Sequence, residues 1–294
     1  MHWQKITVIG VGLLGGSLGL AIKQRRLARR VDGYVRRAAS VHECENAGVV
    51  DRATRDLAQA VEGADLVILC TPLSQMRALA EQMSPSLKRD AIVTDVGSVK
   101  GSVIAELEPL ISKTGACFIG SHPMAGAEKM GVGAARADLF EGAVCVITPT
   151  SKSSPLALSR VTKFWEQAGA RPLLLTPEQH DEFASRSSHL VHVVAAELAN
   201  YVLSPVHPKE QAMLCANGFR DTTRVASGSP EMWRDIALAN RKNLARVLGV
   251  FIEDLQEFQL ALENGDIKLV EEFFEQARKR REQWCAQDGS PSPE

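Results

Sequence analysis

Beyond the middle of this 294-residue chain, the rhythm of apolar and polar positions changes. Up to residue 176 it alternates between two periods. Residues 5–9, 65–71 and 91–95 hold short apolar runs, which suit strands buried on both faces of a parallel sheet. Residues 30–35, 116–121, 143–148 and 172–176 read as further strands. Helical patterns at 13–26, 102–113 and 156–169 lie between them. The alternation predicts an α/β domain over residues 1–176, a Rossmann doubly wound parallel sheet. After Pro177 the strand signals stop. Phe251, Leu255, Phe258 and Leu262 fall on one helix face, and residues 231–264 predict one long helix. An apolar-striped helix of that length in a small domain needs a partner. Residues 177–284 are therefore expected to form an all-helical dimerisation domain of a homodimer. Gly265 breaks the long helix, and Asp266 caps a last one to about Trp284. Residues 285–294, rich in Gly, Ser and Pro, are expected to be a disordered tail.

Composition narrows the function classes. The length suits two domains, and 45% apolar with 23% charged residues is a soluble globular composition. A net charge of −1 gives no electrostatic case for nucleic acid or an anionic membrane as partner. No window is apolar enough for a membrane span, and the N-terminus lacks a signal-peptide layout, so a cytoplasmic location is expected. Six scattered cysteines without a CxxC pair read as reduced thiols, with no disulfide frame and no metal site.

The chemistry begins at Gly10-Val11-Gly12-Leu13-Leu14-Gly15, a GxGxxG that follows a strand and opens a helix. Gly10 permits the turn, Gly12 leaves room for a pyrophosphate, and Gly15 lets helix and strand approach. The N–H groups that open the helix face the phosphates. An NAD site usually has an acid about 20 residues on, at the second strand's end. Here that place holds Val35, Arg36 and Arg37. Two guanidinium groups and no acid point to the 2′-phosphate of NADP, with NAD possible; solvated surface arginines are the alternative. Asp32 lies too early in its strand for the ribose.

Ligands in such sheets sit at strand carboxyl ends. Three polar clusters fall there: Thr71-Pro72, residues 95–100 including Ser98, and residues 120–126 including His122. Ser98 is either a site residue or a helix N-cap. His122, between a strand end and a proline turn, is placed for proton transfer.

Six motifs carry a resemblance. They are GVGLLGGSLGLA at 10–21, DVGSVKG at 95–101, SHPMAGAEKMGV at 121–132, SHLVH at 188–192, GFRDTTRVA at 218–226 and MWRDI at 232–236. In order and over both halves, the chain resembles the prephenate/arogenate dehydrogenases of tyrosine biosynthesis. It is similar to the monofunctional form, with no chorismate mutase segment ahead of residue 1 and a tail too short for an ACT domain. The resemblance implies oxidative decarboxylation of prephenate, or of arogenate, with hydride passing to a nicotinamide. It implies that His122 takes the C4-hydroxyl proton, that Ser98 orients that hydroxyl and the nicotinamide, and that His189 holds substrate. Arg224 would bind a substrate carboxylate, with Trp233 and Asp221 building the pocket. His192 is open between a packed and a functional role, and Trp233 between core and substrate wall. Ala127 stands where family members commonly have a hydroxyl residue, which leaves side-chain specificity open. The competing readings are another two-domain dehydrogenase, a class that lacks the SHPMAG plus GFRDTTR combination, and a non-catalytic NADP sensor, which need not keep Ser98, His122 and Arg224 together.

Overall fold

A computed structural model describes residues 2–126 and 129–288. Ala127, and the tail from residue 289 on, lie outside the described residues. The first half runs β1 (Trp3–Ile9), α1 (Leu13–Gln24), β2 (Ala28–Tyr34), α2 (Ala38–Asn46), β3 (Arg52–Thr54), α3 (Leu57–Val61), β4 (Leu66–Leu69) and α4 (Leu73–Met83). It continues with β5 (Ile92–Asp95), α5 (Gly101–Ser112), β6 (Cys117–Pro123), β7 (Val144–Thr148), α6 (Pro155–Gln167) and β8 (Arg171–Leu174). The strands form one sheet in the order β3-β2-β1-β4-β5-β6-β7-β8. The order reverses between β1 and β4, which makes the sheet doubly wound and opens a crevice there.

Alternation along each strand divides the core. Leu66 and Ile68 pack with Leu18, Ile22, Phe164 and Trp165 on one face. Val67 and Leu69 pack with Met76, Leu79, Val103 and Leu107 on the other. The sheet departs from the all-parallel expectation at one seam. β6 and β7 are antiparallel, with His122 opposite Val146, and all other neighbours are parallel. Among the described residues no crossover α-helix lies between β6 and β7, which suits an antiparallel return.

The second half is helical: α7 (Pro177–Ala184), α8 (Leu190–Val202), α9 (Lys209–Met213), α10 (Asn217–Thr223), α11 (Pro230–Ala239), α12 (Arg241–Glu263) and α13 (Ile267–Asp288). A π-turn over Ser185–His189 joins α7 to α8. The single helix expected over 231–264 is two helices that meet at Asn240. The apolar period continues through the joint, but the Asn240 side chain bonds to Asp181 and His189, and its own φ and ψ of −107° and 25° leave the helical region. Residues 285–288, expected to belong to the tail, are instead the last turn of α13.

By internal contacts the chain divides into Met1–Asn243 and Leu244–Glu294. The smaller unit is a helical hairpin. Gly265, at φ 63°, turns the chain, and Asp266 Oδ1 accepts the Leu269 N–H at 3.1 Å to cap α13. Phe258 stacks on Phe273 at 4.3 Å and meets Phe274 edge-on. No helix among the described residues is long and apolar enough to cross a membrane.

Candidate active site

β1 delivers the chain to Gly10 at φ 92°, a conformation that favours glycine. A Cβ there would lie 2.7 Å from Thr71 Cγ2 and 2.8 Å from the Cys70 carbonyl oxygen. A Cβ on Gly15 would lie 2.2 Å from the Gly10 carbonyl oxygen, so both positions exclude a side chain. Gly12 is different: nothing lies within 4 Å of the place its Cβ would occupy. That open space sits at the start of α1, which has no side-chain cap. The N–H groups of Leu13, Leu14 and Gly15 are thus left for an anion. Beside them, buried Thr71 Oγ1 has no hydrogen-bond partner, and Pro72 leads into α4. An uncapped helix start, an open cradle and an orphaned hydroxyl fit a dinucleotide.

At the end of β2, Val35 is buried while Arg36 and Arg37 are exposed. Arg37 lies 3.6 Å from Glu43. Arg55, which the sequence reading passed over, donates from Nε to the Arg36 carbonyl at 3.1 Å and adds a third guanidinium. Asp32 is buried and paired with Lys5 at 3.0 Å and Arg30 at 2.7 Å, so it is committed within the strand.

The ends of β5 and β6 are tied together by a buried ion pair. Lys100 Nζ donates to Asp95 and, at 2.8 Å, to the Ser121 carbonyl. Burial pushes the Lys100 pKa down, and Asp95 opposes that shift. The Asp95 carboxylate also accepts the N–H groups of Gly97 (2.8 Å) and Ser121 (3.1 Å). Ser98 therefore rides on a braced loop. It is not the N-cap of α5, because Asp181 accepts the N–H groups of Lys100 and Gly101 at 2.7 and 2.9 Å.

Asp181 belongs to a feature the sequence reading missed. A capping box at Thr176 and Gln179 starts α7, and Pro177, His180, Asp181 and Ala184 form its buried face. His122 Nδ1 lies 2.8 Å from His180 Nε2, and His180 Nδ1 lies 2.8 Å from Asp181 Oδ1. Burial raises the Asp181 pKa, but its bonds to His180, Lys100 and Gly101 outweigh that and hold it below the usual range. An ionised carboxylate can only accept, so His180 Nδ1 carries hydrogen and His180 Nε2 is an acceptor. His122 Nδ1 must then donate, which leaves the lone pair on His122 Nε2. Burial, with His180 and Lys100 nearby, holds His122 neutral well below its usual pKa. The chain fixes both the tautomer and the charge state of His122. The signal for it was available: a His-Asp pair on the inner stripe of a capped helix.

The π-turn sets the directions of the next two histidines. His189 faces inward and is fully buried. Its Nδ1 lies 3.2 Å from Asn240 Nδ2, and the Ser98 backbone is close enough to oppose the fall in its pKa. Burial lowers its pKa to about 4. His192 is half-buried and stacks on Trp233 with ring centroids 3.7 Å apart. Its Nδ1 donates to the Ser188 carbonyl at 3.0 Å, which leaves its Nε2 lone pair free to accept. Gly228 makes room for Trp233, since a Cβ there would lie 2.6 Å from the indole nitrogen. Arg224 is close enough to lower the His192 pKa further after burial. Arg220 and Arg224 line one cleft of about 470 Å³ with Cys215, Phe219 and Thr223. Asp221 is exposed on α10, between the two arginines in sequence. Among the described residues no group of three His, Cys, Asp or Glu could hold a metal ion.

A glycine cradle at the first strand and a neutral strand-end histidine define a dinucleotide-dependent oxidoreductase. Comparison with known proteins places it more closely. Residues 18–174 match the family described as prephenate dehydrogenase, nucleotide-binding domain, and residues 176–276 match prephenate dehydrogenase, dimerization domain. The chain belongs to the prephenate dehydrogenase family, whose members are NAD-dependent oxidoreductases. The cyclohexadienyl dehydrogenase of Zymomonas mobilis is 35% identical over 282 residues, which are 95% of this chain and 95% of that protein. A prephenate dehydrogenase from A. aeolicus, in complex with hydroxyphenyl propionate and NAD+, superposes with a TM-score of 0.87 at 33% identity, covering 95% of this chain and 98% of the other. Synechocystis arogenate dehydrogenase superposes at 0.80 with 31% identity, covering 96% and 100%. The glycine turn at 10–15 lies ahead of the first matched stretch, so its assignment stands on its own geometry.

Proposed function

We propose that this protein is a prephenate dehydrogenase that favours NADP and uses His122 as its base. The observation that carries the reading is the His122–His180–Asp181 chain, which presents a lone pair at the carboxyl end of β6. A nicotinamide held by the glycine turn would supply the acceptor for the hydride leaving C4 of the substrate. His122 Nε2 takes the C4-hydroxyl proton, and the imidazolium formed is stabilised through His180 by the Asp181 carboxylate. Loss of the ring carboxylate as CO2 leaves an aromatic ring, whose oxygen recovers the proton. The braced loop at 95–100 holds Ser98 beside this centre. Arg224 binds a substrate carboxylate with its planar fork, over a wall made by Trp233.

Of the two histidines on the π-turn and α8, His192 is the better substrate contact, because His189 has zero exposure and His192 is only half-buried. Gly10, Gly12, Leu13, Leu14, Gly15, Thr71 and Pro72 hold the dinucleotide. Arg36 and Arg37, with Arg55 alongside, receive the 2′-phosphate. Residues 1–176 serve the dinucleotide and 177–284 the substrate. A homodimer is supported by the exposed apolar stripe of the hairpin, where Leu255, Leu262 and Phe274 are 45%, 55% and 59% exposed. Six unpaired cysteines suit a reducing cytoplasm.

A second reading, arogenate as substrate, is favoured by the likeness to the Synechocystis enzyme. Measuring kcat/KM for prephenate and arogenate, each with NAD and NADP, decides among these. The proposal expects prephenate with NADP to be the best pair. A strong NAD preference overturns the role given to Arg36 and Arg37, and turnover of neither substrate overturns the activity.

A further inference from the structure

Four glycines stand between Ile9 and Ser17, and three of them are explained by the dinucleotide turn. The fourth, Gly16, is not. A Cβ on Gly16 would lie 2.9 Å from the Ala135 Cβ and 3.5 Å from Val132 Cγ2. Gly16 is inside α1, where alanine is the better helix former. Only the neighbouring segment disfavours a side chain there.

That segment is held to α1 at two further points. Ser17 is fully buried, and its Oγ accepts the Arg136 N–H at 3.0 Å. Arg25, just past the end of α1, pairs with Glu141 at 2.6 Å. Between these points Leu139 and Phe140 enter the core, and Phe140 meets Trp165 edge-on at 5.6 Å. Trp165 Nε1 donates at 3.1 Å to Ser121 Oγ, one residue before His122. The same stretch of chain left the sheet at Pro123, one residue after His122. The docked segment therefore anchors the far end of the connection that begins at the base.

We propose that Gly16 and Ser17 are positioning residues for the substrate side of the site and not phosphate-binding residues. Gly16 provides the close approach and Ser17 fixes the register, so the helix that receives the dinucleotide also anchors the chain leaving His122. The catalytic consequence rests on the function proposed above.

The test uses Gly16→Ala, Gly16→Ala combined with Ala135→Gly, and Ser17→Ala in the full chain. NADP affinity is measured by fluorescence titration without substrate, and kcat and KM are measured with prephenate. Gly16→Ala is expected to lower kcat/KM about 10- to 100-fold, the scale of a remote misplacement, with NADP affinity unchanged. Ala135→Gly removes the opposing methyl and should restore most of that loss. Ser17→Ala should shift kcat/KM in the same direction, by less. An equal loss of NADP affinity, or no restoration by Ala135→Gly, overturns the proposal. If the wild type turns over neither prephenate nor arogenate, the proposed activity has failed on its own. The seam is then read from amide hydrogen exchange over residues 131–141. Faster exchange in Gly16→Ala, reversed in the double variant, supports the seam, and unchanged exchange overturns it.

Discussion

Replacing Asp181 by asparagine tests whether the buried carboxylate serves the base or only the fold. Its oxygens accept three hydrogen bonds: Oδ1 from His180 Nδ1 and the Lys100 N–H, at 2.8 and 2.7 Å, and Oδ2 from the Gly101 N–H, at 2.9 Å. An amide offers one acceptor oxygen and one donor. With the oxygen kept toward His180, the NH2 group opposes the Gly101 N–H, and one cap of α5 is lost. The tautomer chain survives, but the negative charge that, on the proposed mechanism, would stabilise a His122 imidazolium is gone. Hydrogen bonds to charged groups contribute about 1.5–3 kcal/mol. At 1.36 kcal/mol per tenfold, kcat should fall roughly 10- to 150-fold. Steady-state production of reduced dinucleotide from prephenate reports kcat and KM. A fluorescence titration reports NADP affinity, and circular dichroism reports folding. The expected result is a fall in kcat with NADP affinity unchanged. A folded variant whose kcat stays within about twofold of wild type would refute the relay, because a twofold change is below the smallest effect assigned to one such bond.

Further outcomes follow from the same geometry. His122 must be neutral to accept a proton, and burial lowers its pKa; kcat/KM should therefore persist as the pH falls through 6.5 and be lost only well below it, so an acid limb at or above 6.5 contradicts the assignment. His189, at about 4 against its usual 6.5, must bind a proton on unfolding, so stability is full above 6.5 and falls progressively as the pH drops toward 4. That one group accounts for about 3 kcal/mol, and urea unfolding across the range should show the slope in wild type and lose it in His189→Gln. Arg36→Ser with Arg37→Ser should weaken NADP binding by roughly 10- to 100-fold and leave NAD binding unchanged; an equal loss for both contradicts 2′-phosphate recognition. Arg224→Lys keeps the charge but loses the fork, so KM for prephenate should rise about tenfold or more with NADP affinity intact.

The strands and the glycine turn were legible because both follow local rules. Apolar runs such as 66–69 are buried on both faces, and Gly10 sits where a positive φ needs it. What escaped was set by distant partners. β3 is a three-residue edge strand with no apolar run to announce it. The antiparallel direction of β7 suits the lack of a crossover α-helix among the described residues before it, which the pattern of β7 itself does not encode. The joint at Asn240 follows from side-chain bonds to residues about 50–60 positions earlier, while the helical period continues unbroken. The resemblance gave His189 the substrate role and left His192 open, whereas the π-turn that ends at His189 leaves that ring fully buried and His192 half-buried. His180 and Asp181 were readable as an inner-face pair, but their purpose appears only once β6 brings His122 to 2.8 Å.

The central claim is that His122 is the base of a dehydrogenase. Turnover of prephenate with NADP by wild type and by His122→Asn, at a pH above 7, tests it most directly. The amide side chain can still hydrogen-bond but cannot take the proton. The account predicts a fall of about 10²- to 10⁴-fold in kcat with NADP affinity unchanged. A variant that binds NADP and turns over prephenate at the wild-type rate contradicts it.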